Sequence, residues 1–418
     1  MHRPRAIELV IIVCLGVVAA RTARAEDESA LRERAARLHR DAIVVDGHND
    51  VTTWMLDYGF DLGMDGAEPA KRPAKLYWAF GWLLPTPRGD ALRTDTDLRR
   101  LRKGGVDAQF FSIFADSKCV EQGPGRCRQR ALDMIAALEE QLRRHSGDLE
   151  AARTADDVRH IAAAGRIAAL MGLEGGHAIE NDLSNLQMFY NRGVRYMTLT
   201  WNNTNDWADS SRDVPRHNGL SDFGKRVVAE MNELGMIVDV SHVSDKTFWD
   251  VIETTKVPVI ASHSAARALA DHPRNMSDDM LRAVGRNGGV VMVNFGDLFI
   301  DPEKASNWKI AVFALRHLGW PRTPLSVLID HIDHVARVAG VDHVGLGSDF
   351  DGTPYFPEGI EDVSGYPSIT VELLRRGYSE KDVRKILGEN ALRVLSEVEE
   401  SARLIAGTRE TQFSGTRR

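Results

Sequence analysis

The chain has 418 residues, 43% hydrophobic and 27% charged, an ordinary balance for a folded globular protein with room for one large domain or two medium ones. A net charge of −7 without any basic run argues against nucleic acid as a partner. No short repeat, low-complexity tract or Pro/Ser linker divides the sequence.

Residues 1–25 read as a cleaved signal peptide. "MHRPR" is a basic n-region, "LVIIVCLGVVAA" an apolar stretch of h-region length, and "ARA" before Glu26 a small-x-small cleavage site. That stretch is short for a bilayer span, and the C-terminal "TRETQFSGTRR" has no apolar tail that would signal a lipid anchor. The expectation is export to the periplasm or the medium after cleavage near Ala25, with no membrane anchor in the mature chain. Residues 26–400 are read as a single domain and 401–418 as a flexible tail. The mature chain has 49 basic and 59 acidic residues, a net charge of −10.

Along that domain short β-branched runs alternate with helix-like segments. The runs are "AIVVDGH", "DAQFFSIF", "IAALMGLEG", "RYMTLTWN", "MIVDVSH", "VPVIASHS", "GVVMVNF" and "HVGLGSDFD". Cys119 and Cys127 flank "VEQGPGR" after the second. Across a Gly-Pro-Gly turn in an oxidising compartment they point to a local disulfide, the alternative being two free thiols on a loop. Helix starts are marked by Ser221–Asp222, Ser244–Asp245 and Ser277–Asp278, and stops by Gly235 and Gly340. Alternation of strands with helices implies parallel strands. Eight such units imply a closed (β/α)8 TIM barrel. An open doubly wound sheet is the alternative, but no GxGxxG follows the first strand.

In such a barrel the C-terminal strand ends converge on one face, where active sites sit. Here those ends carry His48 and Asp50, Glu174, His242, His263 and Asp349. Any one of them could be a hydrogen-bonded histidine or a helix cap. Five strands each delivering a ligand-type residue to one rim point instead to metal. Imidazole and carboxylate without thiolate suit zinc, with manganese or cobalt able to substitute in vitro. The donor count suits two ions ~3.5–4 Å apart, sharing a bridging carboxylate and a hydroxide.

With these residues the chain resembles the membrane (renal) dipeptidase family, zinc dipeptidases of the amidohydrolase-type barrel. The resemblance runs from about residue 41 to 397, through "DGHND", "GLEGGHAIE", "WADS", "LSDFGKRVVAEMNELGMIVDVSHVS", "PVIASHSAAR", "RNMSDDMLR", "GLGSDFDG" and "PEGIEDVSGYPSITVELLRRG". It implies that His48 and Asp50 bind one zinc and His242 and His263 the other, with Glu174 bridging them. It implies Asp349 as the proton-shuttling carboxylate. It also implies Arg274 as the receiver of the substrate's C-terminal carboxylate, for which a guanidinium fork is suited. The expected reaction is hydrolysis of dipeptides by a metal-bridging hydroxide, with tolerance of D-residues at the C-terminal position. Family members are often dimers, so the resemblance leaves a homodimer open, while the sequence itself does not set the oligomeric state.

One position departs from the family pattern. Where the family reads "TLTH" the chain has "TLTW", so Trp201 stands where a histidine lies near the substrate carbonyl oxygen. Trp201 is therefore read as a substrate-binding residue, either donating one indole N–H or walling the cleft. His177 is read as a group that could hold Glu174, with a packed loop histidine as the alternative. His331 and His334 are read as a partly exposed helix face. Two rival functions remain open: another binuclear amidohydrolase acting on N-acyl amino acids or lactones, and a non-catalytic exported binding protein.

Overall fold

Strands β1 (Val45–Asn49), β2 (Ala108–Phe114), β4 (Ile167–Glu174), β5 (Val194–Thr198), β6 (Ile237–Asp239), β7 (Ile260–Ser264), β8 (Val290–Val293) and β9 (Val344–Leu346) form a parallel ring. It closes where Asp46 of β1 pairs with Leu346 of β9 while Val45 pairs with Ala108 of β2. In this computed structural model residues 27–65, 94–307 and 321–415 are described, with side chains to 405. The expected leader, residues 1–25, lies outside the described residues. Each of the eight strands lies on one of the eight runs read from sequence, β1 and β5 each reaching one residue beyond theirs, and the (β/α)8 barrel is the fold. A ninth strand, β3 (Leu149–Ala151), pairs among the described residues only with β4, at the edge of the ring. Its three residues, "LEA", carry no β-branched run.

The strands are apolar on both faces because both are buried. In β4, Ile167, Ala169, Met171 and Leu173 face the core between ring and helices, whereas Ala168 and Leu170 belong to the core inside the ring. Val291 and Val293 of β8 divide in the same way from Val290 and Met292. This explains the unbroken β-branched runs, since a two-sided strand has no polar face to alternate with. Leu392, Val394, Leu395 and Val398, from the helix Asn390–Gly415, join the inner core. That helix continues through most of the stretch read as a tail.

The helix starts follow their capping chemistry. Ser221, Ser244 and Ser277 accept the N–H groups of Gly224, Thr247 and Met280, and Gly235 ends the first of these helices at φ 80°. His331 and His334 correct the reading of an exposed face. Their helix, Leu325–Ala339, buries both. His331 Nδ1 accepts the Ala266 N–H at 3.1 Å and its Nε2 lies 2.9 Å from Ile300 O. An imidazole with both nitrogens satisfied can be buried among Leu328, Ile329 and Ile332 at little cost. His334 reaches Asp278 at 2.7 Å. Cys119 and Cys127 are joined in a disulfide that ties Lys118–Glu121 to the helix Arg126–Arg144.

Candidate active site

The six residues read from the strand ends meet at one end of the ring. His48 Nε2 lies 3.3 Å from both Asp50 Oδ2 and Glu174 Oε2. His242 Nε2 lies 3.1 Å from Glu174 Oε1 and 2.9 Å from His263 Nε2. The His48 and His263 rings stack with centroids 3.9 Å apart. His48, Asp50 and Asp349 also offer donor atoms within 4.8 Å of one another. Every one of these side chains is buried.

The last residue of β4, Glu174, continues the inward parity of Ala168 and Leu170. His48 and His263 lie within β1 and β7. His242 and Asp349 stand three residues past β6 and β9, at φ 68° and 63°. Among the described residues six non-glycines have positive φ, and His242, Asp349 and Asp351 are three of them. Each costs ~1–3 kcal/mol, so backbone strain is concentrated where these groups are aimed.

Two buried carboxylates that sequence reasoning missed fix this geometry. Asp46 accepts Ser348 N–H at 2.8 Å, Ser348 Oγ–H at 2.7 Å and Gln109 Nε2–H at 2.9 Å. It thereby holds the segment leading to Asp349, whose N–H donates to His48 O at 3.1 Å. Asp239 accepts Ser262 N–H at 2.8 Å, Ser262 Oγ–H at 2.6 Å and Thr198 Oγ–H at 2.5 Å. The available signal was a carboxylate inside an apolar run, "VVDGH" and "IVDVSH", since such a group survives burial only with several donors.

Hydroxyls set the tautomers of two rings. Tyr196 gives its proton to Gly47 O at 3.0 Å, so it accepts from His48 Nδ1 at 2.8 Å. Ser262 gives its proton to Asp239, so it accepts from His263 Nδ1 at 2.7 Å. In each ring Nδ1 is thus engaged and Nε2 is the nitrogen turned to the cluster, the orientation that metal-ligating histidines receive from outer hydrogen bonds. Gly172 makes room for the first of these contacts, because a Cβ there would lie 1.9 Å from Tyr196 Cζ.

The electrostatics call for a cation. Burial and the Arg274 guanidinium push His242 down to about 3, and burial together with His48 pushes His263 well below the usual imidazole value. Both rings are neutral donors of lone pairs. Burial opposes charge on His48, yet Tyr196, Glu174 and Asp50 together draw it well above the usual value. Burial opposes charge on Glu174 as well, but His48 and His242 hold it ionised. Burial, then Asp50 and Glu174, push Asp349 up to about 7. Neutral imidazoles around crowded carboxylates are the donor set of a divalent metal site, and the residues fit that group.

Arg274 is buried beside this cluster. Its Nη2 donates to His263 O at 3.2 Å and its Nη1 to Ser264 Oγ at 3.4 Å, while Nε has no partner among the described residues. Burial pushes it down to about 10, so it stays charged at neutral pH. Half-buried Trp201 lines the same cleft and packs on Phe114, centroids 5.0 Å apart. His177 bonds Ala115 O at 2.7 Å, while the Glu174 carboxylate takes Ser112 Oγ–H at 3.1 Å. Asp50, Glu174, Trp201, His242, Arg274 and Asp349 all line one cleft.

Comparison with known proteins points to one family. A family model described as membrane dipeptidase (peptidase family M19) matches residues 32–409. Dipeptidase tcpJ of Claviceps purpurea is 39% identical over 73% of this chain and 70% of its own. Dipeptidase 3 of Rattus norvegicus is 34% identical over 88% of this chain and 68% of its own. Among solved structures, the probable dipeptidase PvdM of Pseudomonas aeruginosa superposes with a TM-score of 0.72 at 27% identity, covering 89% of this chain and 99% of that one. A metallopeptidase of Rhodobacter sphaeroides, solved with a phosphinate mimic of L-Ala-D-Ala, gives 0.69 at 28% identity over 85% and 99%. With nearly the whole sequence matched, a barrel of the same form and a buried His/Asp/Glu cluster at its strand ends, the chain belongs to the membrane dipeptidase family, peptidase family M19, and is a metallodipeptidase.

Proposed function

We propose that the protein is an exported, binuclear zinc dipeptidase that accepts either D- or L-residues at the C-terminal position. The convergence of His48, Asp50, Glu174, His242 and His263 around shared carboxylate oxygens, with Asp349 and Arg274 at the same cleft, carries this reading. His48 and Asp50 would hold one ion, His242 and His263 the other, and Glu174 has an oxygen toward each pair. Bound there, the ions supply Lewis-acid polarisation of the scissile carbonyl and acidify water.

The side chains then divide the remaining work. Arg274 holds the substrate's C-terminal carboxylate, which fixes the register of the scissile bond. Asp349, its Oδ2 held by Asn294 Nδ2–H at 2.9 Å, takes the proton of the attacking water and returns it to the leaving amine nitrogen. Gly352 allows the loop to close over these carboxylates, since a Cβ there would lie 2.1 Å from Asp50 Oδ2. Trp201 walls the cleft on the side of Phe114. D-residue tolerance is supported by the Rhodobacter sphaeroides neighbour, which was solved with an L-Ala-D-Ala mimic. Export is supported by the leader-like residues 1–25 and the Cys119–Cys127 disulfide.

The deciding experiment compares L,L- and L,D-dipeptides with N-acyl amino acids and lactones as substrates of the zinc-loaded protein. Turnover of dipeptides well above the other classes is expected. Faster turnover of N-acyl amino acids or lactones would replace the reading with a different amidohydrolase activity.

A further inference from the structure

His177 has no task in the mechanism, yet its ring is held in place. Nε2 lies 2.7 Å from Ala115 O, which can only accept, so that nitrogen carries the ring proton. Gly175 makes room for the ring, because a Cβ there would lie 2.5 Å from His177 Cε1. The residue is 7% exposed, and its Nδ1 is buried without a hydrogen-bond partner among the described residues. Burial pushes the ring below the usual imidazole value, so it is neutral and Nδ1 is a lone pair. Asp116 and Glu174 pull the other way, so the surroundings favour a positive charge that the ring itself does not carry. A buried acceptor left without a donor costs ~1–3 kcal/mol and calls for an explanation.

The neighbours of this ring are Cys119 and Cys127. A ring nitrogen of His177 and the two Sγ atoms lie within 4.8 Å of one another, and both cysteines are buried. Tetrahedral zinc, with Zn–S ~2.3 Å and Zn–N ~2.0–2.1 Å, sets its donors roughly 3.3–3.8 Å apart. The trio therefore needs only small shifts once the S–S bond opens. The turn between the cysteines can supply them, since Gly123 and Gly125 stand at φ 102° and 83° and a Cβ on Gly123 would meet no atom within 4 Å. Cys127 is the second residue of the helix Arg126–Arg144, where the helix N-terminus favours thiolate. A cavity lined by Cys127, His177, Glu180 and Asn203 gives an ion a way in and leaves room for water as a fourth ligand. We infer that, when the Cys119–Cys127 disulfide is reduced, the two sulfurs and the His177 imidazole hold one thiophilic divalent ion, zinc or its analogue cobalt, apart from the cluster at the strand ends. A dithiol reductant gives up two electrons and two protons and becomes a disulfide itself, leaving two thiols on the protein. The ion then displaces both thiol protons into water, while Nδ1 has none to lose. The same cysteines are a crosslink when oxidised and metal ligands when reduced.

The test uses the full chain with Cys14→Ser, so that the third cysteine cannot contribute. The protein is loaded with zinc and divided into an oxidised half and a half reduced by a trialkylphosphine, which becomes its oxide with oxygen and two protons drawn from water. Elemental analysis after removal of loose metal should find one equivalent more in the reduced half, whatever number the oxidised half holds. Titration of the reduced half with cobalt should raise a thiolate-to-cobalt charge-transfer absorption, which the thiolate-free cluster of histidines and carboxylates cannot give. Cys119→Ser with Cys127→Ser should abolish both signals. His177→Gln keeps a donor for Ala115 O but has no imidazole nitrogen, and it should weaken cobalt binding by more than about tenfold. Equal metal content in the two halves, absorption that survives loss of both cysteines, or an affinity unchanged by His177→Gln would each overturn the inference. Loss of the folded circular-dichroism spectrum on reduction would overturn it too, since the site belongs to the folded chain. None of these readouts depends on turnover, so they stand or fall apart from the dipeptidase reading.

Discussion

The Nε2 atoms of His242 and His263 face each other at 2.9 Å, on rings inclined at 60°. Because His263 Nδ1 donates to Ser262, its Nε2 is a lone pair in the neutral ring. One proton would join the two atoms as N–H···N, and a cation would instead take both lone pairs. His242→Ala or His263→Ala is therefore expected to lower bound zinc from two equivalents per chain toward one and to abolish turnover. Elemental analysis of the folded variants checks this. Two full equivalents in either variant, or no more than one in active unaltered protein, would remove the pairing of these histidines on one ion.

Tyr196 acts one step further out. Its hydroxyl both accepts from His48 Nδ1 and donates to Gly47 O. Tyr196→Phe keeps the buried ring and deletes that contact, so the His48 ring loses its fixed tautomer. Outer-contact losses of this kind typically weaken metal binding by ~10–100-fold. Competition with a chelator of known affinity should show the loss at one of the two ions. Unchanged affinity at both would mean that stacking on His263 is sufficient to hold His48.

Asp349→Asn preserves size and an acceptor oxygen for Asn294 but cannot carry the proton. The variant is expected to fold, keep both metals and lose ~10²–10⁴-fold in kcat. Retention of more than about a tenth of kcat at neutral pH would exclude Asp349 as the shuttle.

Most of this site was legible because barrel geometry converts distant motifs into neighbours. Once the eight runs are read as parallel strands, His48, Glu174 and His263 must share one end. Asp46 and Asp239 were not legible in the same way. They do not line the cleft, and their importance lies in the N–H and O–H groups of Ser348 and Ser262, far off in sequence. The same limit applies to β3, whose pairing with β4 is set by tertiary contact and not by local propensity. His331 was misread for a related reason. Its spacing from His334 resembles a polar helix face, and only the packing of Ile300 and Ala266 against it reveals burial.

That burial has a pH consequence. Burial pushes His331 down to about 4, because a proton on Nδ1 would face the Ala266 N–H. A histidine whose folded value lies below its unfolded value of about 6.5 stabilises the fold above pH 6.5. That stability is lost as pH falls toward 4. The size of the effect is about 3 kcal/mol. His331→Gln, which cannot ionise, should show a smaller loss of unfolding free energy between pH 7 and 4.5 in denaturant titrations. An identical pH slope in the variant would place the acid sensitivity elsewhere, with His39 the next candidate because burial lowers it too.

Trp201 remains the position where the chain departs from the family pattern. Its ring packs on Phe114, and its carbonyl is fixed by Ser210. Two roles differ in what they require of the indole. As a wall, it needs only bulk. As a donor to the developing oxyanion, it needs the N–H, which supplies a neutral hydrogen bond of net ~0.5–1.5 kcal/mol. Trp201→Phe separates them by keeping a ring and deleting the donor. A bond made mainly in the transition state would appear as a several-fold fall in kcat with little change in KM. Trp201→Ala should widen the cleft beside Phe114 and broaden the range of accepted side chains in either case. The fall in kcat for Trp201→Phe is expected across several good dipeptides. An unchanged kcat would leave Trp201 as wall alone, with its effect confined to the choice of side chain.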